Sequence, residues 1–314
     1  TSPTPDVQHT QSGLARKLSS GMSPRITLAI IFLIALLIGG NYTALKFALD
    51  HGTPMMITAF RTIVGGIFLM GFALAIGERL PQRRYDWISI LIVSLCITTT
   101  SSLTLVMGVN KVTAGVGALL SSTMPLFTAL LAFLILRERL RGLALVGLMM
   151  GLGGAALLSS PAIGGDTSPA GVGLLMIATS SWAFGTVMMK VRDVSRVSPV
   201  MFVAVQLFFS AVVLFPIAMV FEGLGDMDFG IGLAVPLFYA SVPAMAISFA
   251  LMATIVRQAP AAQAASPAYL IPVFGVVLAF LIRGEQLQLV EVAGGALVVL
   301  GVFLLSTANI REAA

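Results

Sequence analysis

A segment of 16 residues near the middle of the chain occurs a second time close to its end. Residues 125–140 have the sequence PLFTALLAFLILRERL, and residues 272–287 have the sequence PVFGVVLAFLIRGEQL. The offset is 147 residues, close to half of the 314-residue chain, and the same register places Gly147 on Gly294. Chance can supply one apolar pentapeptide, but it is not expected to supply prolines, glutamates and glycines in one register. The sequence therefore predicts an internal duplication, so the fold must be built from two related halves.

The composition predicts a protein that crosses a membrane many times. Hydrophobic residues make up 58% of the chain and charged residues only 10%, whereas soluble domains carry roughly 25% charged residues. Cys96 is the single cysteine and lies in an apolar run, so neither a disulfide framework nor a cysteine-based metal site is expected. The net charge of +5 is typical of basic cytoplasmic loops and does not require nucleic acid. The expected partners are the lipid bilayer and a small-molecule substrate, without a cofactor or metal.

Ten apolar runs approach or exceed the ~20 residues that a helix needs to cross a ~30 Å bilayer core. No convincing small-residue cleavage site follows the first run, so it is expected to be a retained span and not a signal peptide. Because the runs are continuous and not alternating, the predicted fold is all-α, a polytopic bundle of ten transmembrane helices. The runs cover residues 26–45, 54–77, 88–109, 112–136, 142–160, 170–189, 199–221, 233–256, 259–282 and 292–309.

The ten runs divide into two halves of five. The predicted organisation is a disordered cytoplasmic tail at 1–24, a first repeat at 25–160, a linker at 161–169, a second repeat at 170–309 and a C-terminal tail at 310–314. Because five is odd, the second copy must enter the membrane from the opposite side, which gives the inverted-topology repeat of many secondary transporters. With the N-terminus inside, 14 of the 18 lysines and arginines fall on the cytoplasmic side. This bias predicts that both termini are cytoplasmic.

Several short motifs of the two halves resemble those of one transporter family. The first spans carry IGGNYTALK at 38–46 and WAFGTVMMK at 182–190, and the second span has an early arginine, Arg61. The duplicated segment has a central proline and a closing glutamate in each copy, Pro125 with Glu138 and Pro272 with Glu285.

With these marks, residues 26–309 resemble the drug/metabolite transporter superfamily, as a protein with two tandem EamA repeats. The resemblance implies a small-solute carrier, often an exporter, of the bacterial inner membrane. It does not imply one substrate, since the range of the family includes amino acids, other metabolites and drugs.

Arg61 is the most informative single residue. It lies seven residues after Pro54, so about 10 Å into the second span at ~1.5 Å per residue. An intramembrane arginine is costly unless it is paired or faces water. One interpretation is a cation in the central cavity that holds a substrate carboxylate or phosphate; the other is an arginine that snorkels outward or pairs with helix-end carbonyls. The matched residue of the second half is Gln206, which predicts an asymmetric site.

Other polar or aromatic residues inside the spans are candidates to line the same path. Small and polar residues also join membrane helices without any role in transport, and a tryptophan can be an interfacial anchor. Prolines can bend helices beside the path, or they can form static kinks that serve packing alone. The candidates for substrate binding are Arg61, Asn41, Tyr42, Ser101, Ser121, Trp182, Gln206, Ser248 and Tyr269, and those for gating kinks are Pro125, Pro267 and Pro272.

These features favour a secondary transporter that works by alternating access, and an exporter of small metabolites such as amino acids is preferred. The alternatives are a nucleotide-sugar or organic-phosphate exchanger and a broad drug exporter. An integral membrane enzyme or a channel are alternatives of another class. No catalytic residues are assigned, because Cys96 is isolated and His51 has only Asp50 beside it. The oligomeric state is left open, and a monomer is compatible with the sequence.

Overall fold

The structure is a computed structural model, and its description applies to five ranges of the chain. These ranges are residues 24–137, 142–158, 168–192, 196–258 and 267–313. All regular secondary structure in them is helical, so the predicted all-α class is confirmed for this part of the chain. Residues 1–23 of the predicted tail (1–24), residues 161–167 of the predicted linker (161–169), Glu138 and Ala314 lie outside the described residues. Pro24 and Pro169, the last residues of the predicted tail and linker, each begin a helix.

The described residues form ten helical segments, five in each half. In the first half they are α1 (Pro24–Leu49), α2 (Pro54–Ala75), α3 (Arg84–Val109), α4 (Ala114–Leu136) and α5 (Leu143–Leu158). In the second half they are α6 (Pro169–Val191), α7 (Pro199–Phe221), α8 (231–258), α9 (Pro267–Arg283) and α10 (Leu289–Ala313).

Seven of these segments, α1–α4 and α6–α8, are long and apolar enough to cross a membrane. α5, α9 and the apolar part of α10 are shorter. The described helices therefore form a polytopic membrane protein, and the arrangement of ten spans as five plus five stays a prediction.

Prolines and short polar residues define where several helices begin. α2, α6 and α7 each start with a proline, at a position whose missing N–H removes no helical hydrogen bond. The Ser198 hydroxyl accepts a hydrogen bond from the Met201 N–H, and the Thr113 hydroxyl accepts one from the Val116 N–H. These caps satisfy donors that the first helical turn leaves without a partner.

The two halves share local departures from α-helical geometry at matched positions. α3 contains a π-helical segment at Leu95–Thr100, and α8 contains one at Val242–Ile247. The offset between them is again 147 residues. The same offset relates Arg137 and Gly284, which both adopt left-handed backbone conformations, with φ of 57° and 68°. The duplication is therefore visible in the backbone as well as in the letters of the sequence.

Matched helices of the two halves pack against one another in antiparallel fashion. In the α5–α10 pair, a Cβ on Gly147 would lie 2.6 Å from the carbonyl oxygen of Gly301, and a Cβ on Gly154 would lie 2.6 Å from that of Gly294. Only glycine permits such close backbone approach between membrane helices. In the α2–α7 pair, Phe60 packs on Phe215 and Gly66 lies against Leu207. α4 and α9 form the third such pair.

The remaining helix contacts also occur in matched sets. α1 packs against α9 and α8, and α6 packs correspondingly against α4 and α3. α2 contacts α8, and α7 contacts α3. This arrangement leaves α1–α4, α6, α8 and α9 around a cavity in the middle of the bundle.

Polar contacts tie the halves together at the end of the bundle where α1 and α9 finish. Arg283 forms an ion pair with Asp50 at 2.9 Å and lies over the ring of Phe47. A Glu285 carboxylate oxygen accepts a hydrogen bond of 3.1 Å from the Gly115 N–H in the first turn of α4. The N–H groups of the first turn of α2 donate similarly to Glu222. These carboxylates complement the positive ends of the two helices.

Candidate functional site

The cavity in the middle of the bundle has a volume of about 150 Å³ and is lined by seven helices from both halves. The structure brings six of the nine candidates for substrate binding to its wall. They are Asn41, Tyr42, Arg61, Ser101, Ser121 and Trp182. The cavity is therefore the candidate functional site.

The other three candidates lie away from this wall. Gln206 of α7 is buried, and its backbone carbonyl accepts hydrogen bonds from Ser94 and Thr98 of α3. Ser248 is buried and donates to the Pro243 carbonyl at 2.9 Å. The Tyr269 ring packs edge-on against Phe303 of α10, with 6.0 Å between ring centroids.

The three prolines that were candidates for gating kinks occupy different local structures. Pro125 lines the cavity, but α4 is already interrupted by a turn at Ser122–Thr123. Pro125 thus sits in the first turn of the following segment, Met124–Leu131, where it breaks no helical hydrogen bond. Pro272 lies inside α9, and Pro267 begins the described part of that helix.

Arg61 is held inside the protein with part of its hydrogen-bonding capacity unused. It lies on α2, is only 3% exposed, and its Nε donates to the Ala240 carbonyl of α8 at 3.2 Å. Its Nη1 is buried and has no hydrogen-bond partner among the described residues. Arg61 is also the one charged side chain among the described residues that line the cavity. Since such a cation is costly in a membrane interior, an anion or a strong acceptor in the cavity would stabilise it.

A second buried polar atom faces the same situation on α1. The Asn41 side chain is 4% exposed, and its Oδ1 has no hydrogen-bond partner among the described residues. The neighbouring Tyr42 interacts electrostatically with Arg61 and lies beside Ser121. Buried polar groups are nearly always hydrogen-bonded in folded proteins. Asn41 and Arg61 therefore each bring one polar atom without a partner among the described residues to the same cavity-lining region.

Opposite chemistry is found elsewhere in the cavity wall. Trp182 of α6 and Phe249 of α8 pack edge to face, with 5.0 Å between ring centroids and 88° between ring planes. Aliphatic side chains and methionines complete this apolar wall, namely Ile38, Leu105, Met124, Met252 and Ile271. The cavity wall therefore offers both polar and apolar groups, and it can take a molecule that has an acceptor-bearing part and an apolar part.

Twelve of the 19 lining residues were not among the candidates from the sequence, and Thr179 and Phe249 are two of them. Thr179 lies three residues before Trp182, one helical turn along α6, so the helical period around Trp182 could have revealed it. Phe249 follows the π-helical segment of α8, which changes the direction in which later side chains point. No feature of the sequence around it announces that segment.

The matched contacts of α2 with α8 and of α7 with α3 use different groups. At the α7–α3 contact, the Ser210 hydroxyl of α7 donates to the Thr98 carbonyl of α3 at 2.7 Å. In the other direction, the Ser94 hydroxyl of α3 donates to the Gln206 carbonyl of α7 at 2.7 Å. On α2, the corresponding link is the bond from Arg61 to Ala240. The hydrogen bonds around Arg61 thus differ in kind from those around Gln206.

Within the described residues, no group of three or more His, Cys, Asp or Glu side chains could hold a metal ion.

Comparison with known proteins identifies relatives along nearly the whole chain. The model of the EamA-like transporter family matches residues 25–160 and again residues 169–307. The protein named "Uncharacterized transporter YvbV" of Bacillus subtilis is 29% identical over 283 residues, which are 90% of this chain and 92% of that protein. "Uncharacterized inner membrane transporter YedA" of Escherichia coli K12 is 29% identical, over 88% of this chain and 89% of its own.

A plant relative and a solved structure extend the comparison. "WAT1-related protein At3g02690, chloroplastic" of Arabidopsis thaliana is 27% identical over 85% of this chain and 66% of its own length. A solved structure titled "Crystal structure of protein" superposes with a TM-score of 0.67, covers 93% of this chain and 100% of its own, and is 18% identical. That likeness concerns the fold alone.

Proposed function

The chain belongs to the EamA-like transporter family, with two tandem repeats, and from that premise we propose that it exports small metabolites such as amino acids across a bacterial inner membrane. The family and the names of the relatives indicate a transporter rather than an enzyme. The direction, the substrate class and the cytoplasmic position of both termini are parts of the proposal. The bias of lysines and arginines supports the orientation of the termini. The name of the E. coli relative supports the inner membrane as the location.

The proposed mechanism is alternating access by two inverted repeats of five spans. Three features support it: the offset of 147 residues, the matched π-helical segments and the antiparallel packing of matched helices. Antiparallel packing of equivalent helices is what inversion of one copy produces. In such transporters the substrate lies between the repeats, and the rocking of one repeat against the other exposes it to each side in turn.

Arg61 is the proposed anchor for a substrate carboxylate. The observation that carries the proposal is its buried Nη1, which has no partner among the described residues yet belongs to a cavity-lining side chain. A guanidinium pairs with a carboxylate through charge-assisted hydrogen bonds, which are roughly twice as strong as neutral ones. The apolar part of the substrate would then lie against Trp182 and Phe249.

The proposal is tested by counterflow in proteoliposomes that contain the purified protein. Vesicles are preloaded with one unlabelled compound, and uptake of its labelled form is followed for wild type, Arg61→Gln and the matched variant Gln206→Met. The panel contains amino acids, an organic phosphate and a cationic drug. We expect saturable counterflow of amino acids that falls about 10- to 100-fold in Arg61→Gln, as the loss of a charge-assisted hydrogen bond implies.

Each other outcome contradicts a named part of the proposal. Wild-type counterflow that Arg61→Gln leaves unchanged, in folded protein, would remove Arg61 from the path. An equal loss in Gln206→Met would show a general effect of altering buried polar groups. Preference for the phosphate or for the cationic drug would overturn the substrate class, and flux without counterflow would indicate a channel.

A further inference from the structure

We infer that Asn41 determines specificity by accepting a hydrogen bond from an N–H group of the substrate, so that the site selects molecules with both a carboxylate and an amino group over plain carboxylates. The inference rests on the proposed function and adds a second anchor to it. It concerns the same cavity, since Asn41 and Arg61 both line it.

Three buried polar atoms of the cavity-lining residues have no partner among the described residues: Arg61 Nη1, Asn41 Oδ1 and Ser121 Oγ. The first two are complementary in hydrogen-bonding type, and the Ser121 hydroxyl can both donate and accept. Arg61 Nη1 can only donate, and Asn41 Oδ1 can only accept. A carboxylate satisfies Arg61 but leaves Asn41 Oδ1 buried without a donor, which is unfavourable. An amino acid carries an acceptor and a donor on the same carbon atom, so it offers a partner of the right type to each of the two groups.

The charge of the site excludes the opposite selectivity. Among the described residues of the cavity wall there is one cation and no carboxylate. An amine without a carboxylate would meet only neutral acceptors and would be repelled by Arg61. The acceptor on α1 is a neutral amide, so it does not cancel the repulsion between Arg61 and an ammonium group. Recognition of the amino group therefore requires a substrate carboxylate that pairs with Arg61.

The position of Asn41 is fixed by tight packing of the residues before it. A Cβ on Gly39 would lie 2.9 Å from the Gly275 nitrogen of α9, so α1 and α9 are in backbone contact there. Gly40 lies against the Tyr239 hydroxyl, which donates to the Leu37 carbonyl at 3.2 Å. These contacts hold this turn of α1 between α8 and α9, and Asn41 is thereby presented to the cavity by a rigid support.

The test compares pairs of compounds that differ only in the amino group. Leucine is compared with 4-methylpentanoate, and phenylalanine with 3-phenylpropanoate and with phenethylamine, in counterflow by the full-length protein. For wild type we expect half-saturation at least about tenfold lower for each amino acid than for its des-amino acid. In Asn41→Leu the preference should shrink to within about twofold, while saturable counterflow of the carboxylates is retained.

Thr43 provides a matched control on the same helix. Its hydroxyl is also buried without a partner among the described residues, but Thr43 does not line the cavity. Thr43→Val should therefore leave the preference for amino acids unchanged. A loss of preference in Thr43→Val equal to that in Asn41→Leu would overturn the inference, because it would show a general effect of altering α1.

A second variant and a second measurement cover the case in which Asn41→Leu does not fold. Asn41→Asp places a carboxylate in the same cavity as Arg61, so it should weaken binding of the carboxylates and admit phenethylamine. Thermal shift of the detergent-solubilised wild type should be larger with phenylalanine than with 3-phenylpropanoate at equal concentration. Equal shifts, or equal losses for both members of a pair in either variant, refute the role of Asn41.

Failure of the inference and failure of the proposed function give different results. If Arg61→Gln abolishes counterflow while the amino acids and des-amino acids behave alike in wild type, the carrier stands and the role of Asn41 is wrong. If none of the compounds shows counterflow in folded protein, the proposed substrate class is wrong and the inference falls with it.

Discussion

The contact between α2 and α8 and the contact between α7 and α3 occupy equivalent places in the two halves. Each brings the early part of a second span against a helix with a π-helical segment. At the α7–α3 contact, three hydroxyls from Ser94, Thr98 and Ser210 bond to backbone carbonyls across or within the pair. At the α2–α8 contact, the link is made by a cation, Arg61.

The difference shows that the two copies kept the same backbone geometry but not the same side chains at these contacts. Backbone geometry is preserved, since the π-helical segments lie at the same offset although LCITTT and VPAMAI share no residue at any matched position. The side chains at matched positions differ, since Arg61 lines the cavity and Gln206 does not. One contact therefore joins two helices, while the other joins two helices and also places a cation at the wall of the cavity.

The largest effect is expected from exchanging Arg61 and Gln206, which tests whether the two contacts differ in function. In Arg61→Gln/Gln206→Arg, counterflow of amino acids should stay about 10- to 100-fold below wild type, because position 206 does not line the cavity and its arginine cannot replace the lost anchor. The variant should also unfold at lower temperature, since an arginine buried between α7 and α3 has no carboxylate partner in the described contacts there. Recovery of transport in the double variant would show that the two contacts are functionally equivalent.

A smaller effect is expected from removing the hydroxyl links of the α7–α3 contact. Ser210→Ala deprives the Thr98 carbonyl of its donor, and Ser94→Ala removes one donor from the Gln206 carbonyl. Each should lower the free energy of unfolding by about 0.5–1.5 kcal/mol. Unfolding in mixed micelles with increasing SDS measures this change, and half-saturation for amino acids should remain at the wild-type value. A shift in half-saturation without a change in stability would mean that this contact also shapes the site.

The smallest effect concerns the ion pair at the end of the bundle. Arg283 bonds to Asp50, whereas the residue at the matched position of the first half is Leu136. The Asp50 side chain is 50% exposed, and exposed pairs contribute about 0.2–1 kcal/mol that salt screens. Arg283→Gln should therefore lower stability slightly in low salt, with the difference vanishing in high salt. An equally large loss at both salt concentrations would assign the effect to packing of Arg283 on Phe47 instead.

The sequence was sufficient for the features that depend on pattern. Apolar length indicated the helices, the repeated segment indicated the duplication, and an arginine inside an apolar run singled out α2. The structure places that arginine at the cavity as one of the two expected alternatives, while also giving it the carbonyl partner that the other alternative required.

What the sequence could not supply depends on contacts between distant segments. The direction in which Tyr269 points depends on α10, and the position of Gln206 depends on α3. The π-helical segments have unrelated local sequences, and the first is bonded by side chains such as Ser181 and Ser210 from other helices. The interruption of α4 at Ser122–Thr123 moves Pro125 from a kink to a helix start, although proline alone favoured a kink.

The glycine contacts between α5 and α10 place a limit on how the two copies could diverge. Gly147 makes room for the backbone of Gly301, and Gly154 makes room for that of Gly294. The backbone of each helix is thus fitted closely to the backbone of its counterpart in the other copy. A larger residue accepted in one copy would have required the other copy to move its backbone, so neither helix could drift alone. Positions such as Arg61 and Gln206 were free to become different, and of these two only Arg61 lies at the cavity.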